Sequence, residues 1–449
     1  LCRDRGAHVT CVDLRTDLEP VPGCTLRLGP HRREDFLDSE LIVLSPGVPP
    51  SQPDVAAARA TGIPVIGEFG LAASFLTAPV IAVTGTNGKS TVTHFVGQWL
   101  ESLGRNVFVG GNLGRPLSEA VDEAYDVIVA EVSSYQLETV GAFSPVSAAV
   151  LNLAPDHLAR HKTMEAYFAA KMRLFDEVVS DDATAVIWIG SRVSAWNARV
   201  VDHAKKRGLK IMTIGEEGAD IRLTGREPTQ LGQSLTIEHE GAQRTIRLPL
   251  IGAYQVSNAL TSAGLALATG ISASQVWDAV SRLQPVRGRL ERAVIAPGGA
   301  PIYVDYAHTP DALEAAIAAL RPHVSGRLIT VFGAGGDRDH GKRAPMGQAA
   351  AKSSDLVIVT DDNPRGEDPA EIRRQVLEGA PQAREVPGRR EAIHDAIAAA
   401  KPDDIVLIAG KGHETGQIIG SGESMQVHPF DDVEVARECA AQIANGGAS

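Results

Sequence analysis

The chain has 449 residues, of which 44% are hydrophobic and 22% charged, and its 43 basic and 55 acidic side chains give a net charge of −12. This length allows about three domains, each large enough to bury its own core. The acidic balance argues against general nucleic-acid binding but still permits a local basic pocket for a small anion. Four cysteines without CxxC or zinc-type spacing predict a reduced, cytoplasmic protein.

The sequence shows no membrane segment and does not begin with methionine. No apolar run reaches the ~18 residues of a membrane helix, so we expect no membrane insertion. The chain starts at Leu1 rather than at methionine and has the pattern of a helix there. We therefore expect the first domain to be truncated at its start, with part of it preceding Leu1.

Short Val- and Ile-rich runs alternate with stretches of helical period, which is typical of βαβ units with buried parallel strands. The first block, 1–77, predicts a small Rossmann-like domain, with strands at 8–13, 41–45 and 64–67 and a helix at 53–61. The second block, 78–286, predicts a P-loop-type ATP-binding domain. Its strands lie at 79–84, 126–131, 148–153 and 183–189, its helices at 91–103 and 255–269, and a small antiparallel insert at 209–247.

The third block, 287–449, predicts a second Rossmann-like domain. We expect strands at 301–306, 327–332, 355–360 and 404–409, with helices between them and a last helix at 431–444. The fold class is therefore α/β with three domains.

A glycine-rich turn follows the strand at 79–84. It contains Gly85, Thr86, Asn87, Gly88, Lys89, Ser90 and Thr91. Glycines let backbone N–H groups approach phosphates, Lys89 adds positive charge, and Ser90 can hold Mg²⁺. Val83 stands where the full Walker pattern has its first glycine. The turn nevertheless predicts phosphate binding rather than a simple loop, because a strand precedes it and a helix follows it.

Glu131 ends a buried-type strand, and a carboxylate at that edge beside a phosphate loop suits Mg²⁺. His157 follows Asp156 after the next strand, and Lys171 lies in a helical stretch. Taken alone, His157 is better explained as a structural histidine and Lys171 as part of a solvated helix face.

Read together, these motifs resemble the Mur ligases, ATP-dependent amino-acid ligases of peptidoglycan synthesis. The resemblance covers GTNGKST, the EVSSYQLE stretch around Glu131, and DH followed by AAK. It implies two Mg²⁺ sites, one held by Ser90 and Glu131 and the other by His157 and a carbamylated Lys171. Carbamylation would turn the lysine ammonium into a carboxylate-like oxygen ligand. The resemblance further places Asn258, Arg289 and Asp305 around ATP and makes Lys89, His157 and Lys171 the catalytic residues.

Within the family, the first half resembles the D-glutamate-adding ligases, through DLR, SPGVP, GGNLG and DHLARH. That resemblance implies contacts to a UDP-sugar substrate, UDP-MurNAc-L-alanine, from Asp13, Arg15, Ser45, Asn112, Ser133 and Gln136.

From about residue 248 the chain resembles the diaminopimelate-adding ligases, which act one step later. The stretches are DYAHTP, GGDRDHGKR, DNPR and GKGHE. This resemblance implies that Arg338, Asn363, Arg365, Gly410 and Glu414 hold the incoming amino acid. Guanidinium groups can pair with its carboxylates, and Glu414 can accept from its ammonium. The other interpretation of DNPR is a proline turn closed by Asp and Asn.

The resemblance implies a reaction through an acyl phosphate that releases ADP and phosphate. Its substrates would be a UDP-MurNAc-peptide precursor and a free amino acid. We expect the protein to be a monomer. We favour D-glutamate addition, because the precursor-side motifs fix which carboxylate is activated. Addition of meso-diaminopimelate to UDP-MurNAc-L-Ala-D-Glu, or a natural or engineered hybrid, stays open. Two remoter alternatives are a folylpolyglutamate-synthetase-like ligase and a non-catalytic nucleotide-binding homologue.

Overall fold

The computed structural model describes residues 1–112, 114–141, 143–154, 156–190, 195–420 and 425–446. The chain forms two compact units. The first unit comprises Leu1–Arg222 and Asn258–Trp277, and the second comprises Leu223–Ser257 and Asp278–Ser449. The predicted boundaries 1–77, 78–286 and 287–449 remain a prediction. Among the described residues, no helix is both long and apolar enough to cross a bilayer.

The N-terminal part of the first unit is a small α/β layer. Its elements are β1 (Thr10–Asp13), β2 (Thr25–Leu28), α1 (Arg33–Leu37), β3 (Ile42–Leu44), α2 (Pro53–Ala60), β4 (Val65–Gly67) and α3 (Glu68–Ala73). β1 pairs with β2 and β3 pairs with β4, both in parallel. A small separate core of Phe36, Ile42, Leu44, Val55 and Ala58 holds this layer together.

A parallel sheet forms the centre of the first unit. Its elements are β5 (Val80–Thr84), α4 (Lys89–Ser102), β6 (Val107–Gly111), β7 (Val127–Glu131), α5 (Ser134–Leu137), β8 (Ser147–Val150), α6 (Leu158–His161), α7 (Met164–Arg173), β9 (Thr184–Ile189), α8 (Ala195–Lys206) and β10 (Lys210–Gly215). The strands lie in the order β10-β9-β8-β5-β7-β6, and neighbours are parallel. β5, β7 and β8 are buried along their whole length, which explains their continuous apolar runs.

The chain then passes through β11 (Ile221–Thr229), β12 (Gly232–His239), β13 (Ala242–Leu248), α9 (Ala253–Ala268) and α10 (Ala273–Ala279). β12 and β13 pair as an antiparallel hairpin, as the alternating pattern predicts. The expected insert at 209–247 was wrong at its start, because β10 pairs in parallel with β9. α8 lies between these two strands, and a helical crossover returns the chain in the same direction.

The second unit contains another mostly parallel sheet. Its elements are β14 (Glu291–Ile295), β15 (Pro301–Asp305), α11 (Pro310–Leu320), β16 (Leu328–Phe332), α12 (Arg343–Ser353), β17 (Leu356–Val359), α13 (Pro369–Leu377), β18 (Arg384–Glu385), α14 (Arg389–Ala399), β19 (Ile405–Ala409), β20 (Gly416–Ile419), β21 (Gln426–Pro429) and α15 (Asp432–Gly446). The strands lie in the order β14-β15-β19-β16-β17-β18, and all neighbours except the antiparallel pair β14–β15 are parallel. The carboxyl ends of β15, β16, β17 and β19 therefore lie along one edge, where α/β sheets bind ligands.

Candidate active site

The glycine loop joins β5 to α4 and is held by the end of β8. Asn152 accepts from the backbone N–H of Asn87 at 2.9 Å through its side-chain oxygen, and its amide donates to the Asn87 carbonyl at 2.9 Å. Gly88 has φ of 86°, and a Cβ there would lie 2.7 Å from Oδ1 of Asn258. Glycine is therefore required at this turn, and the predicted ATP residue Asn258 lies against it.

Lys89 opens α4 beside this loop. Its Nζ donates to the Thr86 carbonyl at 2.9 Å, and its side chain is half-buried. An ammonium group and the free N–H groups of a helix start both attract a phosphate. The geometry at Lys89 agrees with phosphate binding, and the role itself remains a prediction.

Glu131 is buried at the end of β7 and lies beside the loop. Its Oε2 accepts from Ser90 Oγ at 2.7 Å, and its Oε1 accepts from Asn112 Nδ2 at 2.8 Å. The structure thus brings together the two oxygen ligands predicted for one Mg²⁺. It also places Asn112, predicted to contact the UDP-sugar, on the same carboxylate. Leu113 of the GGNLG stretch lies outside the described residues.

Lys171 is buried on α7 and points at the glycine loop rather than at solvent. Its Nζ donates to the Gly85 carbonyl at 2.8 Å and lies 4.7 Å from the ring centre of Tyr167. Burial, with a smaller contribution from the nearby Lys89 charge, lowers the pKa of Lys171 to about 7. A helical lysine in this state cannot be the solvated side chain that sequence statistics favour.

His157 lies at the start of α6 with a left-handed φ of 54° and an exposed side chain. Its ring packs against Tyr135 and Tyr167 at centroid distances of 5.0 and 6.1 Å, and its Nε2 lies 3.4 Å from Asp156. His157 and Lys171 therefore flank the same Tyr167 ring. Among the described residues, no three His, Cys, Asp or Glu side chains form a metal-binding group. Pro155, which precedes this segment, lies outside the described residues.

The remaining precursor residues have local partners. Ser133 and Gln136 form a reciprocal cap at the start of α5, in which Gln136 Oε1 accepts from the Ser133 N–H at 2.9 Å. Arg15 pairs with Asp13 at 3.0 Å, and hydrogen bonds from Arg15 hold the pKa of Asp13 down at about 2. Ser45 directly follows β3 and is exposed.

Two predicted ATP residues lie in the second unit. The Arg289 guanidinium lies 5.1 Å from the ring centre of Tyr306. Asp305 is buried at the end of β15 and accepts from the backbone N–H groups of Leu290 and Ala307 at 2.8 and 2.9 Å. Burial raises the pKa of Asp305. The Asp305 side chain therefore joins the segment after β15, at Ala307, to the segment before β14, at Leu290.

The predicted amino-acid residues converge at the carboxyl edge of the second sheet. Asn363 follows β17 and donates through Nδ2 to Glu414 Oε2, after β19, at 2.9 Å. Arg365 donates to the Gly336 carbonyl, after β16, at 2.9 Å. Arg338 is exposed on that same segment.

Gly410 has φ of 122°, and a Cβ there would lie 2.6 Å from Asp362 Oδ2. Three neighbouring strand ends thus place the Arg365 guanidinium, the Asn363 amide and the Glu414 carboxylate at one edge, with Arg338 on an adjoining segment.

Sequence reasoning missed three residues that organise these clusters. Asn152 fixes the glycine loop, Tyr167 packs on Lys171, and Lys411 is fully buried beside Asn363. Only Lys411 had a local signal, since its flanking glycines in Gly410–Gly412 indicate a tight backbone path.

Comparison with known proteins supplies an independent test. The chain matches the Mur ligase middle domain over residues 83–266 and the Mur ligase glutamate ligase domain over 288–412. Residues 3–67 match the MurD-like N-terminal domain of Mur ligases.

Two similar proteins and one solved structure carry the same name. The chain is 50% identical over 384 residues to the UDP-N-acetylmuramoyl-L-alanyl-D-glutamate--2,6-diaminopimelate ligase of Zymomonas mobilis, covering 80% of this chain and 78% of that one. It is 43% identical over 382 residues to the protein of the same name from Caulobacter vibrioides, covering 79% and 77%. A solved structure with the same name superimposes with a TM-score of 0.67 at 29% identity, covering 90% of this chain and 92% of that chain.

The α/β fold, the glycine loop and these matches define an ATP-dependent, ADP-forming acid–amino-acid ligase. The chain belongs to the Mur ligase family, whose members act in peptidoglycan synthesis and share the three-domain fold expected from the sequence.

Proposed function

We propose that this protein adds meso-diaminopimelate to UDP-N-acetylmuramoyl-L-alanyl-D-glutamate, with conversion of ATP to ADP and phosphate. The cluster of Asn363, Arg365 and Glu414 at one sheet edge carries this proposal. It combines donors for carboxylates with an acceptor for an ammonium, and diaminopimelate carries both kinds of group. The names of the similar ligases support this alternative over the D-glutamate addition that we favoured from the sequence.

In the first step, the free carboxylate of the precursor attacks the γ-phosphorus of ATP, and the bond to ADP breaks. Lys89 and the backbone N–H groups of the glycine loop bind the phosphates and stabilise the negative charge that builds on the transferring group. The amine of the amino acid then attacks the acyl carbon, loses its proton, and displaces phosphate. Asn363, Arg365 and Glu414 bind and orient the amino acid for this attack.

The residues of the first unit fit Mg²⁺, which would supply charge neutralisation on the phosphoryl group. Ser90 and Glu131 offer hard oxygen ligands on adjacent elements. Lys171 would repel a cation as an ammonium, but its lowered pKa makes the neutral amine accessible for carbamylation. We propose that carbamylated Lys171 and His157 hold the second ion. We further propose that the precursor contacts Asp13, Arg15, Ser45, Asn112, Ser133 and Gln136, and that the protein is a cytoplasmic monomer.

A second candidate, D-glutamate addition to UDP-MurNAc-L-alanine, is favoured by one observation. Residues 3–67 match the MurD-like N-terminal domain, and this segment contains Asp13, Arg15 and Ser45. A protein that combines this segment with a diaminopimelate-type amino-acid site would explain both sets of similarities.

A substrate panel separates the candidates. The protein is incubated with ATP, Mg²⁺ and either UDP-MurNAc-L-Ala or UDP-MurNAc-L-Ala-D-Glu, and each precursor is tested with D-glutamate and with meso-diaminopimelate. We expect mass spectrometry to find one diaminopimelyl product, formed from UDP-MurNAc-L-Ala-D-Glu together with one ADP. Reactions without ATP are the control. A D-glutamyl product from UDP-MurNAc-L-Ala would overturn the proposal in favour of the second candidate.

A further inference from the structure

Lys411 is a fully buried lysine inside the amino-acid cluster and has no role in the proposed function above. It follows β19, and its side chain exposes 0% of its surface. Its Nζ donates to Asn363 Oδ1 at 2.8 Å and to the Gly416 carbonyl at 2.7 Å, and it lies 3.5 Å from Glu414 Oε2. A buried ammonium is retained only when such partners compensate for its desolvation.

Lys411 determines which way the Asn363 amide points. Asn363 Oδ1 accepts from Lys411 Nζ and from the backbone N–H of Ile418 at 3.0 Å, while Nδ2 donates to Glu414. Rotation of the amide by 180° would place its NH₂ group against two donors and its oxygen against a carboxylate. The lysine therefore makes the observed orientation the stable one.

The same contacts polarise the cluster. An amide nitrogen carries two hydrogens, of which Glu414 engages one. The Glu414 side chain is 35% exposed, so part of it faces solvent. With Asn363 held as a donor and Glu414 held as an acceptor, the pair is complementary to the carboxylate and the ammonium of an amino acid.

We propose that Lys411 is a positioning residue that sets the specificity of the amino-acid site by locking Asn363 and Glu414 in this donor–acceptor arrangement. It acts through these two side chains and does not touch the substrate. The inference rests on the proposed function in taking this cluster as the amino-acid site and diaminopimelate as the amino acid.

The test is a double-mutant cycle on Lys411→Met and Asn363→Ala in the full chain. Because hydrogen bonds to charged groups are strong, we expect Lys411→Met to raise the KM for diaminopimelate at least about tenfold. The KM values for ATP and for the precursor should stay within about twofold. The double variant should be no more than about threefold worse than Asn363→Ala, because the lysine acts largely through that residue. Lys352→Met, which removes an exposed lysine from α12, is the matched control.

Two results would overturn the proposal, in addition to the general loss expected of a purely structural lysine. One is a KM for diaminopimelate within about twofold of wild type. The other is a double variant whose loss equals the product of the two single losses. A purely structural lysine would instead change all three KM values and kcat together. If Lys411→Met does not fold, Lys411→Gln enters the same cycle, since its amide keeps donors without the charge, and it should show a smaller rise in KM.

Failure of the proposed function is detected separately. If the wild-type protein uses D-glutamate and not diaminopimelate, the proposed function is wrong, and the same cycle is run with D-glutamate. Since D-glutamate also carries an ammonium and carboxylates, the same selective rise in KM is expected, and an unchanged KM would still reject the role of Lys411.

Discussion

At the scale of single residues, local chemistry predicted the glycine loop but not the partners that hold it. Gly85, Gly88 and Lys89 are recognisable because a phosphate loop needs close backbone approach and positive charge. Asn152 and Asn258 contact that loop from distant parts of the chain, and no local pattern in the sequence encodes such a contact. Taken by itself, Lys171 resembles any helical lysine in sequence; the family resemblance singled it out, and its burial against the loop carbonyl gives the physical distinction.

Replacing Lys89 tests the loop at this scale. In Lys89→Met we expect the rate of ADP release to fall by about 10²–10³-fold, because one preorganised charge on the transferring phosphoryl group is lost. The fold should persist, since Lys89 Nζ donates to the Thr86 carbonyl within the loop and not to the core of the unit. ADP release is followed with a coupled assay under saturating substrates.

Lys205→Met, which removes an exposed lysine from α8, is the matched control and should retain wild-type activity. A Lys89→Met protein with more than about a tenth of the wild-type rate would rule out a phosphate-stabilising role for this lysine. It would favour the non-catalytic alternative if biological activity also persisted.

At the scale of elements, fully buried strands were predicted best. β5, β7, β15, β16 and β19 are short apolar runs that no solvated element would contain. β2 and β6 were missed because their alternating or glycine-containing sequences do not stand out from loops. The direction of β10 was missed because strand direction depends on the α8 crossover rather than on the strand's own residues.

A buried ion pair joins elements of the second unit in a way that no pattern predicts. Arg389, at the start of α14, pairs with Asp432, at the start of α15, and both side chains are 0% exposed. Arg389 also donates to the Ala409 carbonyl at the end of β19 at 2.9 Å. The pair thus fixes two helix starts next to the strand end that carries Gly410.

We expect Arg389→Met to lower the free energy of unfolding by about 3–5 kcal/mol, because Asp432 is left as an uncompensated buried charge. The double variant Arg389→Met/Asp432→Leu should recover most of this loss, since an apolar pair removes both charges. Urea denaturation followed by far-UV circular dichroism measures both effects.

Arg390 provides the comparison, because this neighbouring arginine forms an exposed pair with Glu438. Arg390→Met should cost no more than about 1 kcal/mol. Equal losses for Arg389→Met and Arg390→Met would show that the buried pair adds no stability beyond that of a surface contact.

At the scale of the whole molecule, composition and element order were enough for the fold class, and the motif resemblance was enough for the family. They were not enough for the amino acid that is added. The segments proposed to bind the precursor and the amino acid are different, and they resemble different members of the family. In the proposed amino-acid site, the direction in which Asn363 and Glu414 present their polar atoms is fixed by contacts such as the hydrogen bond from Lys411. A sequence pattern shows that such groups are present but not how they point.

Because of where the tryptophans lie, tryptophan emission reports the unfolding of the first unit, and nucleotide binding to that unit can be measured through it. The four tryptophans are Trp99, Trp188, Trp196 and Trp277, and all belong to the first unit, which also contains the glycine loop. A ligand that binds only the folded state at about 100 times its Kd stabilises it by about 2.7 kcal/mol. For a unit of this size that corresponds to about 5–10 °C. We therefore expect a non-hydrolysable ATP analogue with Mg²⁺ to raise the unfolding midpoint seen by tryptophan emission by this amount.

The Lys89→Met variant distinguishes loop binding from binding elsewhere. At the same analogue concentration its midpoint should rise by clearly less, because loss of the lysine charge raises the Kd and the stabilisation depends on the ratio of ligand to Kd. Lys205→Met should show the full shift. An equal shift in wild type and Lys89→Met would mean that the nucleotide binds without using Lys89. No shift at all in the wild-type unfolding midpoint would contradict ATP binding at the glycine loop. The proposed role of this loop in phosphoryl transfer would then be wrong.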